Sequence, residues 1–309
     1  MILQTGMRTD LPAFYSKWFM NRVREGFVLV RNPYNELSVT KYRLSPDVVD
    51  LIGFCTKNPA PMLPYMEELH QYGQYWFVTI TPYGEEIEEN VPDRNQVMQD
   101  FIRLSKIVGI PSIGWRYDPI LINETYTVET HIREFEKMAE TLSGYTDTCI
   151  ISFVDLYQKV LKNYPEVKSV GSADRITIGK EFANIGKKYG ITIKACGEGK
   201  DLEPYGVDCS GCMTIETYEK ALGTKLMIPS KRPLRNECAC LLGNDIGQYN
   251  TCAHFCKYCY ANYSRELVIQ NMKKHDEDSP FLIGGSTQWD VIHEAEQKSY
   301  IDNQLSFLF

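Results

Sequence analysis

Three cysteines near the C-terminal end of the chain have the spacing of a metal or cluster site. Cys252, Cys256 and Cys259, here called the C-terminal triplet, form a C-x3-C-x2-C array in TCAHFCKYCYANY. Thiolates at this spacing suit zinc or an iron–sulfur cluster. Zinc sites usually pair C-x2-4-C knuckles, so one alternative is a zinc knuckle that borrows His254 or a distant cysteine. The triplet favours three corners of a [4Fe–4S] cube, with one iron lacking a protein ligand.

Further cysteines predict a second metal site. The preferred ligands are Cys196, Cys212, Cys238 and Cys240, with Cys209 as the doubtful member. An auxiliary [4Fe–4S] cluster is favoured over structural zinc, and both interpretations stay open. A third interpretation makes Cys196 a free catalytic thiol that donates a hydrogen atom. Cys55 and Cys149 lie within apolar runs and are expected to be buried structural thiols.

The composition bounds the class of protein. A chain of 309 residues allows one large α/β domain or two small ones, and 43% hydrophobic with 24% charged residues is typical of a globular protein. No apolar run is long enough to span a membrane, and the first residues lack signal-peptide features, so a cytoplasmic location is expected. Ten cysteines in that compartment indicate metal binding or catalysis rather than disulfides. A net charge of −7 argues against a dedicated nucleic-acid binder.

Strand and helix patterns alternate along the first 200 residues. Strands are predicted at 2–4, 48–61, 75–84, 112–120, 149–157 and 190–199, and helices at 10–26, 93–108, 128–142 and 172–189. Apolar strands separated by helices indicate a parallel sheet buried on both faces. Each strand turns polar at its carboxyl end, where a (β/α) barrel carries its active site. A TIM-like barrel, partial rather than complete, is therefore predicted, with an open doubly wound sheet as the alternative.

The sequence around the C-terminal triplet resembles a known family. Tyr258 fills the aromatic position of C-x3-C-x-aromatic-C, the signature of radical S-adenosylmethionine (SAM) enzymes, and CKYCYAN is most similar to spore photoproduct lyase relatives. The resemblance implies that three cysteines hold a [4Fe–4S] cluster and that SAM binds the fourth iron. An electron then cleaves SAM to a 5′-deoxyadenosyl radical that abstracts hydrogen. It also implies a reducing partner such as ferredoxin or flavodoxin.

The position of the motif suggests a circular permutation. The superfamily carries it near the start of the barrel, whereas here it follows most of the chain. FCTKNP and RYDPI resemble strand ends of the lyase relatives, in shuffled order. The whole chain also resembles an uncharacterised bacterial family that shares TKNP and WRYDPI. The predicted organisation is a barrel over 1–200, a cysteine-rich segment over 201–264 and a tail over 265–309 with a helix ending in LSFLF.

The resemblance implies SAM contacts at the strand ends. The candidates for binding SAM are Arg8, Thr56, Lys57, Asn58, Thr79, Arg116, Asp118, Ser152 and Tyr258, and Asp10 and Thr81 lie on the same rim. Arg116 or Lys57 suits the SAM carboxylate and Asp118 the ammonium. Pairing of Arg116 with Asp118 is an equal alternative.

The remaining expectations concern Tyr260 and the rival functions. Tyr260 is a candidate catalytic radical relay, with aromatic packing over the cluster as the alternative. The rival functions are an iron–sulfur electron carrier or redox sensor and a zinc-stabilised binding module. A lyase-like role in nucleic-acid repair is a narrower hypothesis, which the acidic balance disfavours.

Overall fold

The computed structural model describes residues 1–228, 240–241 and 243–301. The strands are β1 (Ile2–Gln4), β2 (Phe27–Asn32), β3 (Asn35–Arg43), β4 (Leu51–Thr56), β5 (Gly73–Thr79), β6 (Ile113–Ile120), β7 (Thr148–Phe153), β8 (Thr192–Ala195), β9 (Asn244–Asp245) and β10 (Val291–Glu294). The α-helices are α1 (Leu11–Phe14), α2 (Ser16–Glu25), α3 (Met66–Leu69), α4 (Arg94–Val108), α5 (Val128–Leu142), α6 (Gln158–Asn163), α7 (Ser172–Tyr189), α8 (Ile215–Leu222) and α9 (Arg265–Met272).

A seven-stranded parallel sheet forms the centre of the molecule. Its order is β8-β7-β6-β5-β4-β1-β9, and every neighbouring pair is parallel. Within this sheet, each strand from β4 to β8 pairs with the sheet strand that precedes it in the chain, beginning with β4 on β1. β9 then pairs with the other side of β1. The predicted α/β class with a parallel sheet is confirmed. A closed barrel is not shown, because β8 and β9 are the two edges of the sheet in the described chain.

Both faces of this sheet are buried, which explains the continuous apolar runs of the strands. In β5, Trp76 and Val78 belong to the large core that includes side chains of α2, α4, α5 and α7. Tyr75 and Phe77 alternate with them and join a second core, in which Tyr218 of α8 packs. Strand side chains alternate between faces, so each strand supplies both cores.

The helix boundaries follow their capping residues. The Thr127 hydroxyl accepts from Thr130 N at 3.2 Å at the start of α5, and Gly190, with φ of 71°, ends α7. The helix predicted over 10–26 divides at Tyr15 into α1 and α2. The Tyr15 hydroxyl donates to Thr251 O at 2.6 Å and so fixes this break against the segment that begins the C-terminal triplet. In the described residues, no helix combines the length and apolar character needed to cross a bilayer.

A second, three-stranded sheet has the order β10-β3-β2 and was not predicted. β2 and β3 form an antiparallel hairpin, and β10 pairs with β3 in parallel. In the tail, Val291–Glu294 forms a strand because the exposed edge of β3 offers this segment a partner. The LSFLF end lies outside the described residues.

Candidate metal and cofactor site

One cavity of about 320 Å³ lies at the carboxyl ends of the main-sheet strands, a volume suited to a small molecule. Strand-end residues that line it include Thr56, Lys57, Thr79, Arg116, Asp118 and Ser152. All three members of the C-terminal triplet line it, and so do Cys196, Cys212 and Cys240. The structure therefore brings the triplet, three candidate ligands of the second group and seven of the nine candidate SAM contacts, Tyr258 among them, to one cavity.

The loop that carries the C-terminal triplet is held against the loop after β5. Asn90 N donates to His254 O at 3.0 Å, and Lys257 N donates to Ile87 O at 2.9 Å. Within the triplet loop, Cys259 N donates to Cys256 O at 3.1 Å. These backbone bonds fix the position of the cysteines independently of any side-chain ligand.

The triplet consists of one buried cysteine, Cys256, and two half-buried ones, and its sulfurs are not all close together. Among the described residues, only Cys196, Cys212 and Cys240 form a group whose ligand atoms all lie within 4.8 Å of one another, so at least one pair of triplet sulfurs is further apart than that. Burial raises the pKa of Cys252 and of Cys256 well above the ordinary value, and the Lys57 charge acts in the opposite direction at Cys256. Such thiols keep their protons until a cation displaces them.

The other three cysteines, here called the compact cysteine group, bring their sulfurs almost into contact. Cys212 Sγ lies 3.4 Å from Cys196 Sγ and 3.3 Å from Cys240 Sγ. Hydrogen bonds with both neighbours and burial raise the pKa of Cys212 well above its ordinary value. Three soft ligands at this separation could bind a metal or a cluster.

Two other cysteines predicted for this site stand apart from it. Cys209 is not a member of the compact cysteine group, because its Sγ is directed to Val207 O at 3.7 Å and its side chain packs against the large core. These contacts do not support Cys209 as a ligand of the compact cysteine group. Cys238 lies outside the described residues.

Arg116 and Asp118 form an ion pair, which was one of the two predicted alternatives. Arg116 Nε donates to Asp118 Oδ2 at 2.9 Å, and the Ser152 hydroxyl donates to Asp118 Oδ1. Burial acts to raise the pKa of Asp118, but the Arg116 charge and the Ser152 hydrogen bond hold it below its usual value. The Arg116 charge also acts on Cys212 and Cys196, so the pair belongs to the compact-group end of the cavity.

Glu88 organises the triplet end and was missed by the sequence analysis. This carboxylate is 4% exposed and accepts from Lys57 Nζ at 2.9 Å, from the Thr81 hydroxyl at 2.7 Å and from the Tyr258 hydroxyl. Glu88 lies in EEIEEN, which has the composition of a solvated acidic turn, so sequence alone offered no signal for it. Tyr258 is thereby oriented through its hydroxyl.

Asp10 connects the start of α1 to the triplet loop. Its Oδ1 accepts from Ala13 N at 3.0 Å and so caps the start of α1. Its Oδ2 accepts from Lys57 N at 2.7 Å and lies 2.9 Å from His254 Nε2. His254 therefore supports the loop rather than serving as a ligand for the triplet site.

Two predicted SAM contacts do not line the cavity, and Tyr260 does. Arg8 is directed to Asp245, where its Nη2 donates to the backbone oxygen at 2.8 Å. Asn58 forms a local turn in which its Oδ1 accepts from Ala60 N at 3.3 Å. Both were candidates because they follow a strand. Each side chain instead forms a hydrogen bond with a backbone group, Arg8 with Asp245 O and Asn58 with Ala60 N. Tyr260 is 42% exposed and donates to Met7 O at 2.6 Å.

The remaining two cysteines occupy different environments. Cys149 is fully buried in the large core, as predicted. Cys55, expected to be equally buried, is only partly so and lines the cavity. Residue 6, which packs against Cys55, must be a glycine, because a Cβ at this position would lie 2.4 Å from Cys55 O.

Comparison with known proteins gives a family but no activity. No curated protein matches the chain. A solved structure described as a candidate alpha-L-fucosidase from Bacteroides thetaiotaomicron is 10% identical over 57% of this chain and 84% of its own, with a TM-score of 0.23. That score is too low to support an argument about fold or function. A family model described as "Domain of unknown function (DUF1848)" matches residues 2–261, and the chain belongs to this family.

Proposed function

We propose that the protein is a radical SAM enzyme that abstracts hydrogen from a small molecule bound in the cavity. The C-terminal triplet would hold a [4Fe–4S] cluster. The observation that carries the proposal is that the triplet and the polar strand ends line the same cavity. When bound, the reduced cluster supplies the electron that breaks a carbon–sulfur bond of SAM and yields a 5′-deoxyadenosyl radical.

The separation of the triplet sulfurs supports a cluster at this site. Around a single tetrahedral ion, sulfurs at about 2.3 Å from the metal lie about 3.8 Å apart. The triplet sulfurs do not all come within 4.8 Å of one another. In a four-iron cluster each thiolate binds a different iron, so its sulfurs are spread more widely than around one ion. Three ligands for four irons also leave one iron for SAM.

The strand order supports a permuted, partial (β/α) barrel. The triplet loop follows β9, and β9 pairs in parallel with β1, the first strand of the chain. Circular permutation requires this arrangement. In an unpermuted barrel the strand that corresponds to β9 would come first and the strand that corresponds to β1 would come next, so the two must be neighbours. Read from β9, the spatial order β9-β1-β4-β5-β6-β7-β8 is that of consecutive barrel strands.

The two cations of the cavity have separate roles in this proposal. The Lys57 charge acts on Cys256, which supports Lys57 as the group that would bind the SAM carboxylate beside the triplet. Glu88 holds both Lys57 and Tyr258, and it thereby fixes the SAM end of the cavity. Arg116 lies at the compact-group end, where the substrate would bind. Thr56, Thr79 and Ser152 contribute polar groups between the two ends.

Anaerobic purification tests the proposal. The protein should be brown, contain about four irons and sulfides at the triplet, and produce 5′-deoxyadenosine from SAM when dithionite is added. An electron carrier would instead give a cluster EPR spectrum that SAM does not alter. A colourless protein that contains zinc alone after anaerobic reconstitution with iron and sulfide would reject the proposal.

A further inference from the structure

We propose that the compact cysteine group holds a single zinc-type ion with one coordination position open to the cavity, and that a thiol of the substrate binds there. The ligands are Cys196, Cys212 and Cys240. The metal part of this inference is independent of the cofactor at the C-terminal triplet. The substrate part rests on the proposed function, because it takes the cavity to be the place of reaction.

The sulfur separations indicate one ion rather than a cluster. Sulfurs on one tetrahedral ion lie about 3.8 Å apart. The Sγ–Sγ separations from Cys212 to its two neighbours are 3.4 and 3.3 Å, slightly shorter than that value. A cluster with each thiolate on its own iron requires the sulfurs to move apart, against the packing of Cys212 and Cys240 in the second core.

The place of the three ligands on the cavity wall favours an open coordination position. Cys196, Cys212 and Cys240 lie within binding distance of one another, and all three line the cavity, so an ion among them lies at its wall. Structural zinc sites are closed by four protein ligands, whereas catalytic sites use three and leave the fourth position to water or substrate. We therefore assign the fourth position of this ion to the cavity, and the C238S variant tests the alternative of a fourth cysteine.

Charge and ligand softness indicate a thiol as the occupant. Three thiolates around a divalent cation leave a net charge of −1, and a fourth thiolate makes it −2. The Arg116 charge acts on Cys212 and Cys196 and offsets part of this negative charge. A metal ion deprotonates a coordinating thiol, and zinc accepts sulfur readily. Binding forms a metal–sulfur bond, releases the bound water and transfers the thiol proton to solvent.

Cobalt substitution tests both parts. The full-length variant C252A/C256A/C259A, which lacks the triplet ligands, should bind one Co²⁺ per chain with sulfur-to-cobalt charge-transfer absorption. Adding 2-mercaptoethanol should change the visible d–d bands in a saturable manner. C212S in this background should weaken cobalt binding at least tenfold, whereas the matched variant C209S should not change it. If the triple variant does not fold, C256A alone provides the background.

Three results would overturn the inference. Loss of cobalt binding in C238S would identify a closed four-cysteine site. A spectrum that 2-mercaptoethanol does not alter would remove the open position. Several irons with sulfide in the triplet-free variant after reconstitution would identify an auxiliary cluster. If these measurements succeed while the wild-type protein does not cleave SAM, the metal site stands and its role in substrate binding falls with the proposed function.

Discussion

The two cysteine groups line one cavity but are built in opposite ways. The C-terminal triplet comes from a single loop that backbone hydrogen bonds hold against the loop after β5, and its sulfurs do not all lie within 4.8 Å of one another. The compact cysteine group is gathered from segments 16 and 28 residues apart, and its sulfurs nearly touch. A local motif can thus specify widely spaced ligands, whereas close ligands here depend on the strand order of the whole sheet. The two geometries predict two different metal species.

The largest expected effect follows removal of the triplet ligands. C252A, C256A or C259A should reduce 5′-deoxyadenosine formation more than 100-fold, because each cysteine supplies one ligand of the cluster. Iron and sulfide content should fall in parallel. Metal bound by the compact cysteine group should remain, as measured by elemental analysis.

C209S is the matched control for these variants, because Cys209 is a half-buried cysteine that belongs to neither group. It should retain both metals and full activity. If C256A also removes the metal of the compact cysteine group, the two sites are coupled and the comparison drawn above fails.

The next effect concerns the support of the triplet end. E88Q removes the charge that pairs with Lys57, whose side chain is only 13% exposed. Breaking a buried ion pair from one side costs about 3–5 kcal/mol, so urea unfolding should show a loss of this size. The double variant K57M/E88Q should recover more than half of the loss, since no buried charge remains unpaired. A loss below about 1 kcal/mol for E88Q would mean that water reaches Lys57.

A pH titration gives the acid sensitivity of the scaffold, away from both cysteine groups. Burial lowers the pKa of His131 to about 4, from 6.5 in the unfolded chain. A depressed pKa contributes stability above pH 6.5 that is lost as the pH falls towards 4, on the order of 3 kcal/mol in total. H131N should remove this part of the pH dependence in urea unfolding at pH 7, 5.5 and 4.5. An unchanged slope would place the acid sensitivity elsewhere.

The smallest effect is expected at Asn58. Its side chain closes a turn and does not line the cavity, so N58A should cost about 0.5–1 kcal/mol and change SAM affinity less than twofold. T79A is the comparison, because Thr79 was also predicted as a SAM contact from its position at a strand end, and it does line the cavity. A tenfold loss of SAM affinity in N58A would return Asn58 to the site.

The sequence predicted those features that depend on local pattern. The bounds of α5 and α7 follow from Thr127 and Gly190, and the parallel sheet follows from apolar runs that end in polar residues. The role of Glu88 was not predictable, because its burial depends on Tyr258, which is 170 residues away in the chain. Cys196, Cys212 and Cys240 were predicted as ligands together with Cys238, with Cys209 as the doubtful member, but only the fold shows that the first three sulfurs lie within 4.8 Å of one another. The pairing of β10 with β3 was missed because the two strands are far apart in sequence, whereas the β2–β3 hairpin is local and its turn at Pro33 and Tyr34 was not recognised.

The strand order gives the compact cysteine group a mechanical consequence. Cys196 directly follows β8, and Cys240 lies four residues before β9, so each of these two margins of the main sheet adjoins a sulfur of one group. An ion bound there would cross-link these margins and restrict their separation. A chelator would then release both strands together, and amide hydrogen exchange should accelerate in β8 and β9 while β5 and β6 stay protected.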